Sequence, residues 1–283
     1  MKKIIKYLFL LTGGSFILAS CNDFLDREPL DSVTPDNFFF TENDLAAYAV
    51  KHYNFTTHEG FNAGIWKNDN ATDNQAATDY DKKWIPGQWK VPEAYDNPAS
   101  NDPWYFSTIR EANYFLETVV PRFEKGEIEG SETNIKHYIG EMYFLRAKNY
   151  LSKLETFGDF PIIKNTLPDE SESLIQASKR APRYKVAHFI LEDLDQAISL
   201  LTNNISGGKN RITKNAALLL KSRAALFEAS WLTYHKGTAL VPGGPGWPGK
   251  AEDIADFNID TEIAFFLKEA KAAAKEVIGN AAL

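Results

Sequence analysis

Apolar side chains recur every three or four positions in six separated stretches of the chain, the period of a helix with a buried face. The first reads from Thr41, which pairs with Asp44 as a capping box and puts Leu45, Tyr48, Ala49, His52 and Tyr53 on one stripe. The second reads from Asp102 and Pro103, with Ile109, Ala112, Leu116 and Val119 in register, and Pro121 is expected to close it. The third carries Ile139, Tyr143, Ala147, Tyr150, Leu154 and Phe157 on one face and Ile135, Tyr138, Met142 and Leu145 beside it. Apolar positions therefore cover more than half its circumference, so neighbours must pack on two of its sides. Gly158 and Pro161 end it.

Pro182 opens a fourth stretch with Val186, Phe189, Ile190, Leu194, Ala197 and Leu201, and Thr213 can cap a fifth with Ala216, Leu220, Ala224, Phe227 and Trp231. The last begins at Asp260 and carries Ile263, Phe266, Leu267, Ala270, Ala274 and Val277. The pattern thus predicts helices over 41–53, 102–120, 134–157, 183–202, 213–234 and 261–278, packed into one continuous core. Alanines on the fifth stripe let a neighbouring helix approach closely. The expected fold is dominated by α-helix, a stack of tetratricopeptide-like hairpins carrying irregular loops, although the full signature of that repeat is absent. The longest irregular segments are 54–101 and the Gly/Pro-rich "GTALVPGGPGWPGKAEDIADFN"; the helix-length stretches leave no room for a large sheet.

The first twenty residues follow another pattern: Lys2, Lys3 and Lys6, then an apolar run broken by Gly13 and Gly14, then Ala19 and Ser20. That is the build of an export signal, and the run is too short for a membrane-spanning helix of about 20 residues. Cys21, the only cysteine, follows directly, so no internal disulfide can form. Leu18, Ala19, Ser20 and Cys21 resemble the lipobox of bacterial lipoproteins. The resemblance implies that the thiol is acylated, that residues 1–20 are removed, and that the new amine of Cys21 is acylated too. Several chains at about 0.8 kcal/mol per buried CH₂ hold a domain at a membrane where one chain would not. Residues 21–40 then read as the lipidated tether and 41–283 as the helical domain.

Removal of residues 1–20 takes away three lysines and no acid, moving the formal charge from −7 to −10. Such a body repels polyanions, which excludes nucleic acid as an expected partner. No HExxH, GxSxG, Walker loop or dinucleotide fingerprint is present, so no catalytic residue and no cofactor is predicted. His137 and His188 sit within helix patterns as structural residues, and no metal site is expected from them.

One stretch stands apart: "GIWKNDNATDNQAATDYDKKWIPGQW" interleaves Trp66, Tyr80, Trp84 and Trp89 with Asp73, Asn74 and further amides and acids. A pyranose has an apolar C–H face that stacks on such rings and hydroxyls that amides and carboxylates bind, so Trp66, Asp73, Asn74, Tyr80, Trp84 and Trp89 are the candidate ligand residues. The competing reading is a solvated loop whose tryptophans pin it to the core. The acids here offer oxygens to calcium, but the glycine and closing glutamate of an EF-hand loop are missing, and calcium is not predicted.

Five blocks taken in order, "CNDFLDREPLDSVTPDNFF", "WYFSTIREANYFLETV", "GEMYFLRAKNYLSKLETFGDFPII", "FILEDLDQAISLL" and "RITKNAALLLKSRAALFEAS", resemble the SusD/RagB family of outer-membrane nutrient-binding lipoproteins. The resemblance implies a helical, tetratricopeptide-containing body that faces the cell exterior. It implies that the body sits over a SusC-like TonB-dependent transporter and delivers oligosaccharides to it. Peptides or another nutrient, or a lipid-anchored glycoside hydrolase, are the alternatives. Members are longer than this chain, so 41–283 is expected to be an incomplete domain. The lipid reading has a direct test: Cys21→Ala should move the protein from the membrane to the soluble fraction. Retention through carbonate and high-salt washes would refute it.

Overall fold

The computed structural model describes residues 38–55, 104–205 and 210–280. Residues from Phe40 onward pack as one unit, and of the unit before it only residues 38 and 39 are described. In order the helices are α1 (Glu42–Lys51), α2 (Ser107–Glu124), α3 (Glu132–Phe157), α4 (Ser171–Ala177), α5 (Arg183–Leu200), α6 (Lys214–Tyr234) and α7 (Ile259–Asn280). Among the described residues there is no strand, only the isolated bridges Thr41–Glu129 and Phe160–Ala181. The all-α architecture is the one the periodicity predicts.

Local chemistry sets most boundaries. Thr41 Oγ1 accepts from Asp44 N at 3.3 Å while Asp44 Oδ2 accepts from Thr41 N at 3.0 Å, the reciprocal box expected at the start of α1. Thr213 caps α6 through Ala216 N at 3.2 Å. Gly158 ends α3 at φ 72°, a conformation costly for residues with a Cβ.

Two boundaries and one element differ from the sequence reading. Residues 104–106 are not helical, and α2 starts at Ser107 because Trp104 and Phe106 turn their rings into an aromatic cluster instead of a first turn. Phe106 stacks on Phe160 at 5.0 Å, and Trp104 meets Phe157 and Phe160 edge-on at 4.9 and 5.0 Å. Pro121 lies inside α2, which runs on to Glu124. In the last turn a proline forfeits a single backbone bond, and its fixed φ is already helical. Helix α4, inside what reads as a polar connection, buries no residue and so leaves no apolar stripe to find.

Successive long helices run antiparallel. The start of α3 meets the end of α5 where Thr202 N donates to His137 Nδ1, and the end of α3 meets the start of α5 at the Phe160–Ala181 bridge. Helix α6 packs between α5 and α7, and α3 touches α1, α2, α5 and α6, the multi-sided burial that its broad apolar surface requires. Ala224, Ala225 and Ala229 of α6 and Ala270 and Ala273 of α7 are buried, allowing Ser222 Oγ to reach Ala270 O at 2.9 Å.

Buried charge fixes this stack. Arg146 of α3 grips both oxygens of Asp193 of α5 at 2.7 Å each and donates to Asn113 Oδ1 of α2 at 2.8 Å. Asn113 in turn donates to the carbonyls of Ile163 and Asn165, in the connection after α3. Arg211 pairs with the fully buried Glu141, and Lys221 bridges Asp195 and Glu269 at 2.7 Å each.

Removing one partner of a buried pair strands the other charge, which typically costs about 3–5 kcal/mol. Asp193→Leu and Arg146→Met should therefore each lose stability on that scale in urea unfolding, and the double variant carrying both should recover part of the loss. Strictly additive losses in this double-mutant cycle would show that the pair is uncoupled.

A pH dependence follows from His52. Its side chain is 9% exposed, with Nδ1 3.4 Å from Glu111 Oε2, and Nε2 has no hydrogen-bond partner among the described residues. Burial disfavours the imidazolium and holds its pKa below 6.5, although Glu111 opposes this. The folded state therefore resists a proton that the unfolded state accepts. The contribution is present above about pH 6.5 and is lost as pH falls through the folded-state value. His52→Phe keeps the ring contact with Tyr48 and removes the titration. Wild type minus variant stability should fall between pH 7.5 and 5.5; a flat difference would exclude the effect.

Candidate ligand cleft

Where α3 ends, α5 begins and α6 ends, the chain leaves a cleft of about 770 Å³, closed on one side by the Gly/Pro-rich segment after α6. Asp159 organises its floor. One carboxylate oxygen accepts from Arg183 N at 2.8 Å and so caps α5; the other accepts from the Trp247 indole N–H at 2.8 Å. A single side chain thus joins the α5 terminus to the outer wall.

The outer wall depends on missing side chains. A Cβ on Gly249 would lie 2.1 Å from the Trp247 ring, so the indole rests directly on the glycine backbone. A Cβ on Gly244 would lie 1.8 Å from Thr238 O, which the turn closed by Gly244 N donating to Val241 O cannot accommodate. The second indole, Trp231 of α6, donates to Leu240 O at 3.0 Å. Both rings line the cleft with their N–H groups already bonded to protein, so what they offer a ligand is ring surface.

Behind Trp231 lies another buried ion pair. Arg183, 3% exposed, donates through Nε and Nη2 to Glu228, which is fully buried, at 2.8–3.2 Å, and its guanidinium stands 4.2 Å from the Trp231 ring centre. Burial pushes the Glu228 carboxyl above the ordinary glutamate range, and Arg183 pulls it back. Arg183 Nη1 makes no hydrogen bond among the described residues. Charged groups of both signs, including Lys179, Lys250, Glu155 and Asp253, surround the opening.

Cys21, Trp66, Asp73, Asn74, Tyr80, Trp84 and Trp89 all lie outside the described residues. His137 is buried between Thr202 N and Glu141, and His188 Nε2 meets Glu262 at 2.7 Å across the α5–α7 contact, so both serve packing. Among the described residues no group of three His, Cys, Asp or Glu side chains is arranged to hold a metal ion. Sequence reasoning missed the cleft. It assigned Trp231 to a core stripe and "VPGGPGWPG" to a loop; the available signal was an indole in a segment with no periodic face to bury it.

A family model described as SusD-like, starch-binding and associating with the outer membrane matches residues 23–226, and the chain belongs to this family. The resemblance of the five sequence blocks is thereby established as membership. SusD-like protein P2 of Formosa agariphila is 26% identical over 258 residues, covering 89% of this chain and 45% of that protein. SusD-like protein P38 of the same organism is 27% identical over 203 residues, covering 70% and 37%. Among solved structures, a SusD-like protein from Bacteroides fragilis NCTC 9343 aligns with a TM-score of 0.54 at 25% identity, over 72% of this chain and 38% of that one. A SusD-like carbohydrate binding protein from the same strain shares the fold with a TM-score of 0.50 at 17% identity, over 70% and 40%. The chain spans less than half the length of each of these proteins.

Proposed function

We propose that this protein is a cell-surface lipoprotein that captures oligosaccharides and delivers them to a SusC-like TonB-dependent transporter in the outer membrane. The observation that carries the reading is membership of the starch-binding, outer-membrane family over residues 23–226. The acyl groups on Cys21 would hold the body at the membrane, and 21–40 would be its tether. Capture without chemistry suits what the chain carries: indoles, amides and carboxylates in the 66–89 stretch, and no recognisable nucleophile or acid–base motif. Trp66, Tyr80, Trp84 and Trp89 would stack on pyranose faces while Asp73 and Asn74 bond hydroxyls.

The test is binding of the full-length protein to a panel of oligosaccharides, with product analysis on the same samples. Tight binding with no released product supports capture, and glycan cleavage would make the protein a hydrolase instead. Trp66→Ala, Trp84→Ala and Trp89→Ala should each weaken the best ligand by about 2 kcal/mol or more if the ring is a stacking hot spot, with little change in melting temperature. Unchanged affinity in all three, or losses confined to variants that unfold, would assign these rings to structure alone.

A further inference from the structure

We propose that the cleft between Trp231 and Trp247 is a carbohydrate site on the helical body, built from residues other than the candidates at 66–89, that takes neutral sugars. It rests on the reading of the protein as a glycan-capturing lipoprotein. Its two rings, Trp231 and Trp247, lie beyond the 23–226 segment that matches the family, whereas Asp159 and Arg183 lie within it.

The first argument is size and wall chemistry. Ligand sites occupy about 300–1,000 Å³, and this cleft of about 770 Å³ has room for a short oligosaccharide. Two ring systems form part of its lining, and each is anchored at its N–H edge, Trp231 by Leu240 O and Trp247 by Asp159. Their orientation is set before a ligand arrives, so binding need not spend interaction energy on ordering them.

The second argument is the donor at the base. Arg183 is 3% exposed, two of its nitrogens are held by Glu228, and Nη1 is left without a hydrogen bond in a residue that lines the cleft. A Cβ at Gly158 would stand 3.1 Å from that nitrogen; glycine keeps the approach open. Among the described residues the buried side-chain atoms left without a partner are on His52 and His137, not Arg183, so Nη1 is reached by water from the cleft, and a ligand oxygen would take that water's place. Contact with both Glu228 oxygens, Nε on Oε1 and Nη2 on Oε2, neutralises the guanidinium, so Nη1 acts as a donor within a neutral pair.

The third argument is charge. Lys179 and Lys250 at the opening are matched by Glu155 and Asp253, and the balance gives no field that would gather an anion. Rings, an uncharged-pair donor and mixed polar groups match a sugar with a C–H face and neutral hydroxyls, rather than a uronate or sulfated chain.

The experiment titrates the full-length protein with maltoheptaose, laminarihexaose, a xyloglucan heptasaccharide and, as the anionic probe, an oligogalacturonate. It compares wild type, Trp247→Ala, and the triple variant Trp66→Ala, Trp84→Ala, Trp89→Ala. The expected result is a neutral-sugar binding event that survives in the triple variant and weakens about 30-fold or more in Trp247→Ala. In the unmodified protein, saturating sugar should slow amide exchange across 238–253, a readout that does not depend on any variant folding. If wild type binds a sugar but exchange at 238–253 is unchanged, or a folded Trp247→Ala binds every neutral sugar as wild type does, the cleft proposal is wrong and the capture function stands. Protection by oligogalacturonate alone would overturn the neutral-sugar assignment. Failure of wild type to bind any of the probes would overturn the capture reading and the cleft site together.

Discussion

The bidentate clasp of Arg146 on Asp193 is the contact on which the rest of the fold depends. It ties α3 to α5, and through Asn113 it also takes hold of α2 and of a connection with no ladder of its own. The Asn113 side chain is fully buried, and the carbonyls of Ile163 and Asn165 satisfy an amide that would otherwise cost about 1–3 kcal/mol unpaired. Tyr150 adds a second hold, donating to Ile163 O at 3.2 Å and accepting from Ile163 N at 2.8 Å. The connection that leaves α3 at Gly158 therefore follows a set path, and Asp159 arrives where it can cap α5 and receive the Trp247 indole. The cleft floor is a consequence of polar groups buried well away from it.

Apolar stripes alone would let helices slide by a turn with little loss, because leucine and alanine surfaces offer many near-equivalent contacts. Charges forbid that. Glu141 with Arg211, Arg146 with Asp193, Arg183 with Glu228, and Lys221 between Asp195 and Glu269 each accept one register at successive levels of the stack. Such pairs contribute little net stability relative to well-packed apolar side chains, since desolvation offsets most of the attraction. Their physical contribution here is positional. They keep the ends of α3, α5 and α6 at the spacing that the cleft needs.

The helices were legible because burial imposes a period, and α3 was legible in particular because its apolar residues wrap more than half of it. The registry was not legible. Arg146, Asp193, Glu141 and Glu228 read as ordinary polar positions, and only the third dimension shows that each faces an opposite charge in the core. Helix α4 escaped because it buries nothing, and Trp104 and Phe106 misled because aromatic packing outweighed a Pro-led helix start. Trp231 fits a core stripe by spacing, yet its ring borders the cleft, since a helix this near its end has neighbours along only part of its side.

Body and cleft wall answer to different constraints. In the stack, a change at Asp193 or Glu228 strands a partner in the core, so the sequence there is coupled across helices. The wall segment carries its tryptophan on backbone turns: Gly243 and Gly246 take φ of 75° and 83°, and Gly249 gives the ring its seat. Most of its side chains are exposed and make no demand on the core. That segment can exchange residues, and with them the surface it presents to the cleft, without disturbing the registry of the helices. What it cannot exchange are its anchors: Asp159 answers to the α5 cap as well as to Trp247, so the floor belongs to the body and only the wall is free to vary.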